Sequence, residues 1–155
     1  MNNAYLPNFI VLTFIILFIS CSYPKPTNRE IIVTKILDTN TSWDGKSFYY
    51  PQGTPQVSSY IVEIDSGKTL DFHCHPVPTF AYILEGTVEV ETSDGLTKTF
   101  KSGDAFVEVM NTWHKGKAIE APLKILVFYA SAENIPISIK ANNNFLDKKC
   151  FLENK

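Results

Sequence analysis

The sequence predicts an all-β chain folded as a sandwich or barrel of antiparallel sheets. Three observations carry that expectation. Short apolar and β-branched stretches recur from Val57 to Ala130. Turn formers separate them, at Asp65-Ser66-Gly67, Gly86, Ser93-Asp94-Gly95 and Ser102-Gly103-Asp104. None of the region sustains a helical period. Eight or more short strands in about 100 residues indicate two packed sheets or a closed barrel. A chain of 155 residues, 45% hydrophobic and 19% charged, suits one globular domain.

Residues 1–21 read as a signal segment. They carry no charged side chain, and Phe9–Ile19 is an uninterrupted apolar run apart from Thr13. Such a run is shorter than the ~20 residues of a membrane-spanning helix and matches a signal-peptide core. It ends at Ser20-Cys21-Ser22, which resembles the lipobox of bacterial lipoproteins, where the cysteine is lipidated and becomes the mature N-terminus. The pattern departs from that motif in lacking a preceding Lys or Arg and in having Phe18 where leucine is usual. The resemblance implies an exported lipoprotein, anchored through lipid on Cys21 at the periplasmic or outer surface of a bacterium. An uncleaved anchor from about Ala4 to Tyr23 is the other reading, and both place the remainder outside the cytoplasm.

Residues 22–42 are expected to form a tether and a first strand. Ser22–Arg29 contains two prolines and nothing with which to form a core, whereas Ile31–Leu37 is strand-like. Turn formers surround Trp43, and the aromatic Lys46–Gln56 segment reads as an ordered loop. The barrel occupies residues 43–130. Its expected strands are Val57–Ile64, Thr69–His75, Phe80–Glu85, Thr87–Glu91, Leu96–Lys101, Ala105–Met110, Trp113–Ile119 and Leu123–Ala130. Residues 131–155 form a polar tail in which Ile135–Ile139 could add an edge strand.

The formal net charge of −2 belongs wholly to the part after Cys21. That part has no basic field for nucleic acid, so a small molecule or a protein is the expected partner. Of the three cysteines, Cys74 and Cys150 are left if Cys21 is lipidated. They could pair in an oxidising compartment, although a buried, apolar role for Cys74 is the simpler expectation.

All three histidines fall in His73-Cys74-His75 and Trp113-His114. In a strand, residues two apart share a face about 6 to 7 Å apart, so His73 and His75 can converge on one ion, and His114 on a second strand would close the set. An imidazole set suits zinc, iron, copper or nickel better than magnesium or calcium. Three neutral imidazoles leave the ion's charge uncompensated, so its open positions should attract a small anion. Glu108, six residues before His114, points either into the pocket with Phe106 or to the surface. In the pocket it would be a fourth ligand or a general base, and it is the candidate catalytic residue.

These residues resemble the cupin superfamily, in particular small exported single-domain cupins. In the first cupin motif Gly67, His73, His75 and Gly86 match at the right spacings, while Thr79 stands at the glutamate position. In the second motif Gly103 and His114 match, while Val109, Asn111 and Ala118 replace proline, glycine and asparagine. The likeness runs from about Trp43 to Ala130. It implies a double-stranded β-helix, jelly-roll-like, with a metal inside, and homodimers are usual for such barrels. It does not imply a reaction, because the fold hosts dioxygenases, isomerases, decarboxylases and non-catalytic sugar binders. Three-histidine centres occur among its iron dioxygenases. The expected function is a three-histidine metal centre in a small-molecule enzyme of dioxygenase or isomerase type. The alternative is a binding module for a small anionic or sugar ligand.

Overall fold

The computed structural model describes residues 30–142 and Cys150. The apolar run Phe9–Ile19, Cys21 and the asparagines Asn143 and Asn144 lie outside the described residues. By contacts the chain divides into Met1–Val33 and Thr34–Lys155. Of the first unit, Ile31, Ile32 and Val33 are described and are more than four-fifths exposed.

The second unit is built of strands: β1 (Pro55–Ile64), β2 (His73–Cys74), β3 (Thr79–Thr92), β4 (Thr97–Lys101), β5 (Ala105–Val107), β6 (His114–Ala132) and β7 (Ile139–Lys140). All named strand pairs are antiparallel. Two long strands organise it. β3 pairs with β6 from Thr79↔Tyr129 to Thr92↔His114, and the other strands attach to the edges of this ribbon. β5 and β1 flank the Thr79 end, whereas β4 and β2 flank the Thr92 end, with β7 outside β2. An isolated parallel bridge, His75↔Met110, joins the segment after β2 to the segment after β5.

The ribbon changes phase in its middle. Buried positions in β3 are Thr79, Ala81 and Ile83 before the register shifts, and Val88, Val90 and Thr92 after them. A shifted register moves a strand's side chains to its other face, so each long strand serves both walls of the barrel. Gly86 makes this possible. It has φ +79°, and a Cβ there would come within 2.5 Å of the Glu120 carbonyl oxygen and 2.6 Å of that of Pro122. Between the walls lies a core that includes Ile83, Val88, Phe106, Leu123 and Ile125. Phe100 and Phe106 stack within it at 3.6 Å between ring centroids.

Four expectations are corrected here. Gly86 does not open a turn between two strands, because the chain runs straight through it as one bulged strand. Trp113–Ile119 and Leu123–Ala130 likewise merge into β6. Thr69–His75 contributes only the short β2, with Thr69 in an isolated bridge to Lys117. Ile31–Leu37 forms no strand, because no sheet edge pairs with it; instead Ile36 and Leu37 line a groove on the outer face with Phe80, Leu126 and Phe128.

Gly86→Ala is expected to lower stability by about 2 to 4 kcal/mol, since an alanine there meets both a left-handed backbone and two carbonyl oxygens that cannot retreat without breaking the ribbon. Urea unfolding checks this. A loss below about 0.5 kcal/mol would mean that the bend does not need the glycine.

Candidate metal centre

The three histidines meet inside the barrel. Each offers one nitrogen, and these atoms lie within 4.8 Å of one another. Register explains how. His73 stands directly opposite His114, so the two rings leave the same face of the sheet. His75, two residues beyond His73, returns to that face. Centroid separations are 4.5 Å for His73 and His114, 5.0 Å for His73 and His75, and 5.1 Å for His75 and His114.

Their orientation is set by the backbone. Nδ1 of His73 lies 2.8 Å from the Asp71 carbonyl oxygen, that of His75 2.8 Å from Ile137 O, and that of His114 2.8 Å from Thr112 O. A carbonyl can only accept, so each Nδ1 carries the proton and each Nε2 keeps its lone pair. Hydrogen bonds of this kind are what hold ligating imidazoles in one tautomer and one orientation.

Glu108 is in the pocket. Its N–H donates to the carbonyl of Thr79 at 2.8 Å, continuing the β3–β5 register, so residues 79 and 108 are cross-strand neighbours on one face. Glu108 thus stands beside Thr79 on the adjacent strand. The Thr79 hydroxyl is occupied, donating to Val77 O at 3.1 Å. Glu108 Oε2 lies 3.8 Å from His114 Nε2, and both atoms are buried without a hydrogen-bond partner. Two buried polar atoms facing each other unsatisfied are costly unless something between them takes up both.

Burial dominates the proton affinities. It pushes the Glu108 carboxyl up to about 7, against the opposing pull of His73, the nearby Trp43 indole and the Val109 N–H. The Trp43 indole N–H is itself buried and makes no hydrogen bond of good geometry. Burial lowers His114 to about 4, and it also lowers His73 and takes His75 well below its ordinary value, in both cases reinforced by the charge of His114. All three imidazoles are thus neutral at pH 7, the state a metal requires. The donor set fits a divalent transition ion, with three imidazole nitrogens within 4.8 Å of one another.

A segment after β6 secures this arrangement. Ile137 supplies the acceptor for His75, Lys140 pairs opposite His73, and the Ala141 N–H donates to Phe72 O at 2.9 Å. Cys74 and Cys150 form a disulfide with Cα atoms 6.0 Å apart, enclosed with Trp113, Phe72 and Ile139. This corrects the expectation that Cys74 is only an apolar filler. It is buried, but it also ties the end of the chain to the strand that carries His73. Ile135 and Ile137 pack on the core, so the described residues that follow β6 are more than a polar tail.

Residues 60–129 match the family described as Cupin domain. This barrel is a cupin domain. No match was found among curated protein sequences. Among solved structures the cupin is similar to the oxalate decarboxylase of Lactobacillus farciminis in a formate complex, at 27% identity and TM-score 0.48, over 56% of this chain and 27% of that one. It is also similar to the DMSP lyase DddQ of Ruegeria pomeroyi DSS-3, at 20% identity and TM-score 0.48, over 55% and 43% of the two chains. KdgF from Halomonas sp. matches at 25% identity and TM-score 0.45, over 57% and 82%. The cupin thus spans about a quarter of the first of these proteins and under half of the second.

Two pocket residues escaped the sequence reading. Tyr129, opposite Thr79, lines a cavity at the histidines, and its ring centroid is 5.4 Å from that of His75. Alternation through Leu123, Ile125 and Val127 could have placed it inward. Lys140 lines the same cavity from β7, and nothing in its local sequence signals that.

The metal-free protein should lose stability in mild acid. Between about pH 6.5 and about 4 the unfolded chain binds the proton that folded His114 refuses, so stability falls as pH drops, by roughly 3 kcal/mol from this residue, and His75 acts in the same direction. Glu108 opposes them, because the folded carboxyl keeps its proton up to about 7 while the unfolded one loses it nearer 4.5. Urea midpoints with chelator at about pH 7.5 and about pH 5 test this. Glu108→Gln should steepen the acid loss, and a shallower dependence in that variant would contradict the assignment.

Proposed function

We propose that this cupin is a metal-dependent protein for a small organic anion, with His73, His75 and His114 as ligands and Glu108 completing the donor set or handling a proton beside it. One observation carries the reading: three backbone carbonyls fix three Nδ1–H groups, leaving three Nε2 lone pairs close together in a buried space. The buried, unpartnered atoms of His114 and Glu108 support it. A bound zinc, iron, copper or nickel ion supplies Lewis acidity toward an oxygen of the ligand. His75 and His114 are buried, and the imidazoles hold a fixed geometry without reorganising. Glu108 Oε2, at 3.8 Å from His114 Nε2, is placed to accept or return a proton of a group seated among the histidines.

An enzyme of dioxygenase or isomerase type is the first form of this reading, because a carboxylate stands inside the pocket. A binding module without turnover is the second. Glu108→Gln separates them: an enzyme that uses this carboxylate as a base keeps its ligand but loses turnover, whereas a binding module shows no turnover in either form.

We further propose export and a lipid anchor on Cys21, supported by the Phe9–Ile19 run and by the Cys74–Cys150 disulfide, which suits an oxidising compartment. Cys21→Ala should leave the membrane fraction, and a variant that stays there with unchanged mass sinks the anchor. A homodimer is proposed through the outer face where Ile61, Leu126 and Phe128 are exposed at 53%, 36% and 43%. Light scattering that gives a single-chain mass at micromolar concentration would exclude it.

Metal content measured after purification without chelator tests the centre. Wild type should carry about one ion per chain. His75→Ala and His114→Ala should each lose most of it, about 100-fold or more in affinity, and more so in mild acid as protons compete for the lone pairs. Full occupancy in either histidine variant places the ion elsewhere. A loss in Glu108→Ala equal to theirs makes Glu108 a ligand, and retention makes it a bystander to binding.

A further inference from the structure

The cavity beside the histidines has a volume of about 280 Å³ and is lined on its polar side by His73, His75, Tyr129, Ser138, Lys140 and Asp71. Two cross-strand rows reach it, one through His73 and Lys140 and the other through Tyr129. On one wall His114, His73 and Lys140 are directly opposed across β6, β2 and β7. On the other, Glu108 just past β5, Thr79 on β3 and Tyr129 on β6 are opposed. Directly opposed residues leave the same face of a sheet, so each row presents its side chains together. At one end of the rows are the carboxylate and His114. At the other are an ammonium and a phenol, neither of which is the hydrogen-bond partner of a histidine Nδ1.

Among the described residues Lys140 makes no ion pair, as is also true of Lys68, Lys98, Lys101 and Lys117, whereas Lys35, Lys46, Lys115 and Lys124 each sit within 3.4 Å of a carboxylate oxygen. Tyr129 is 8% exposed, and its hydroxyl makes no hydrogen bond to any of the described residues. An ammonium and a phenolic O–H are both donors, and two donors at a pocket mouth suit an anionic oxygen pair. The apolar part of the cavity, Val62 and Leu70, leaves room for a short carbon chain.

We propose that Lys140 and Tyr129 are the specificity residues of the pocket, receiving the carboxylate of a short-chain organic acid whose other oxygen donor faces the histidines. This rests on the metal-centre reading and adds to it the ligand's second point of attachment. Asp71 lines the same cavity, and its charge works against any anion there. The sign of its effect is therefore opposite to that of Lys140. The backbone carbonyl of Asp71, not its carboxylate, orients His73, so neutralising the side chain leaves that ligand in place.

The experiment is calorimetric titration of the full chain, zinc-loaded and zinc-free, with acetate and with succinate. Acetate offers one carboxylate and succinate two. Zinc-loaded wild type should bind succinate about tenfold tighter than acetate, a difference of about 1.4 kcal/mol. Lys140→Met should abolish that preference while zinc content and acetate affinity stay as in wild type, Lys140→Arg should restore it, and Tyr129→Phe should reduce it about threefold. Asp71→Asn should strengthen succinate binding. Retention of the succinate preference in Lys140→Met overturns the proposal, as does the absence of binding by either acid up to about 10 mM. If wild type takes up no zinc, the metal reading fails separately. The zinc-free titration then decides for Lys140 by whether succinate affinity still depends on it.

Discussion

Three hydrogen bonds from imidazole to backbone carbonyl are the constraint on which the site depends. Without them, three neutral histidines in a barrel could each present either nitrogen, or rotate to satisfy themselves on neighbouring groups. With Asp71 O, Thr112 O and Ile137 O as fixed acceptors, that freedom is gone and the lone pairs are committed inward. Two of these acceptors lie two residues before the histidine they hold, so the local turn builds them in. The third comes from the segment after β6, far away in sequence, which makes His75 hostage to how that segment is packed.

The rest of the fold can be understood as support for those acceptors. β3 and β6 form one ribbon that changes phase at Gly86, and this brings Glu108 on one wall to within 3.8 Å of His114 on the other. Asn111 adopts φ +55° where the cupin motif has glycine, a conformation asparagine tolerates, and its N–H donates to His75 O at 2.9 Å. The disulfide then fastens Cys150 beside His73 and His75. Each device limits the movement of a ligand-bearing strand that is itself only two residues long.

The fold class and the gathering of the three histidines were legible because they rest on local signals: alternation, turn formers and i, i+2 spacing. The bend at Gly86 was misread as a turn. In sequence, a register shift looks like an interruption of alternation, and only the pairing of Thr87–Thr92 with the same partner strand reveals continuity. Glu108 was undecidable between pocket and surface, because alternation fixes which residues share a face but not which face is inside. The Ile31–Leu37 run had strand propensity and no edge to pair with, and propensity without a partner makes no sheet. Ile137, Lys140 and Cys150 were illegible as site components, since their roles come from long-range packing of a segment whose composition is unremarkable.

The geometry of the three imidazoles implies a site preorganised before any ion enters it. Long-range proton–nitrogen correlation spectra of the metal-free full chain at neutral pH report it directly, since they distinguish a protonated from an unprotonated ring nitrogen. His73, His75 and His114 should all show a protonated Nδ1 and an unprotonated Nε2. A protonated Nε2 on any one of them, or the averaged signals of a freely exchanging imidazole, would contradict it.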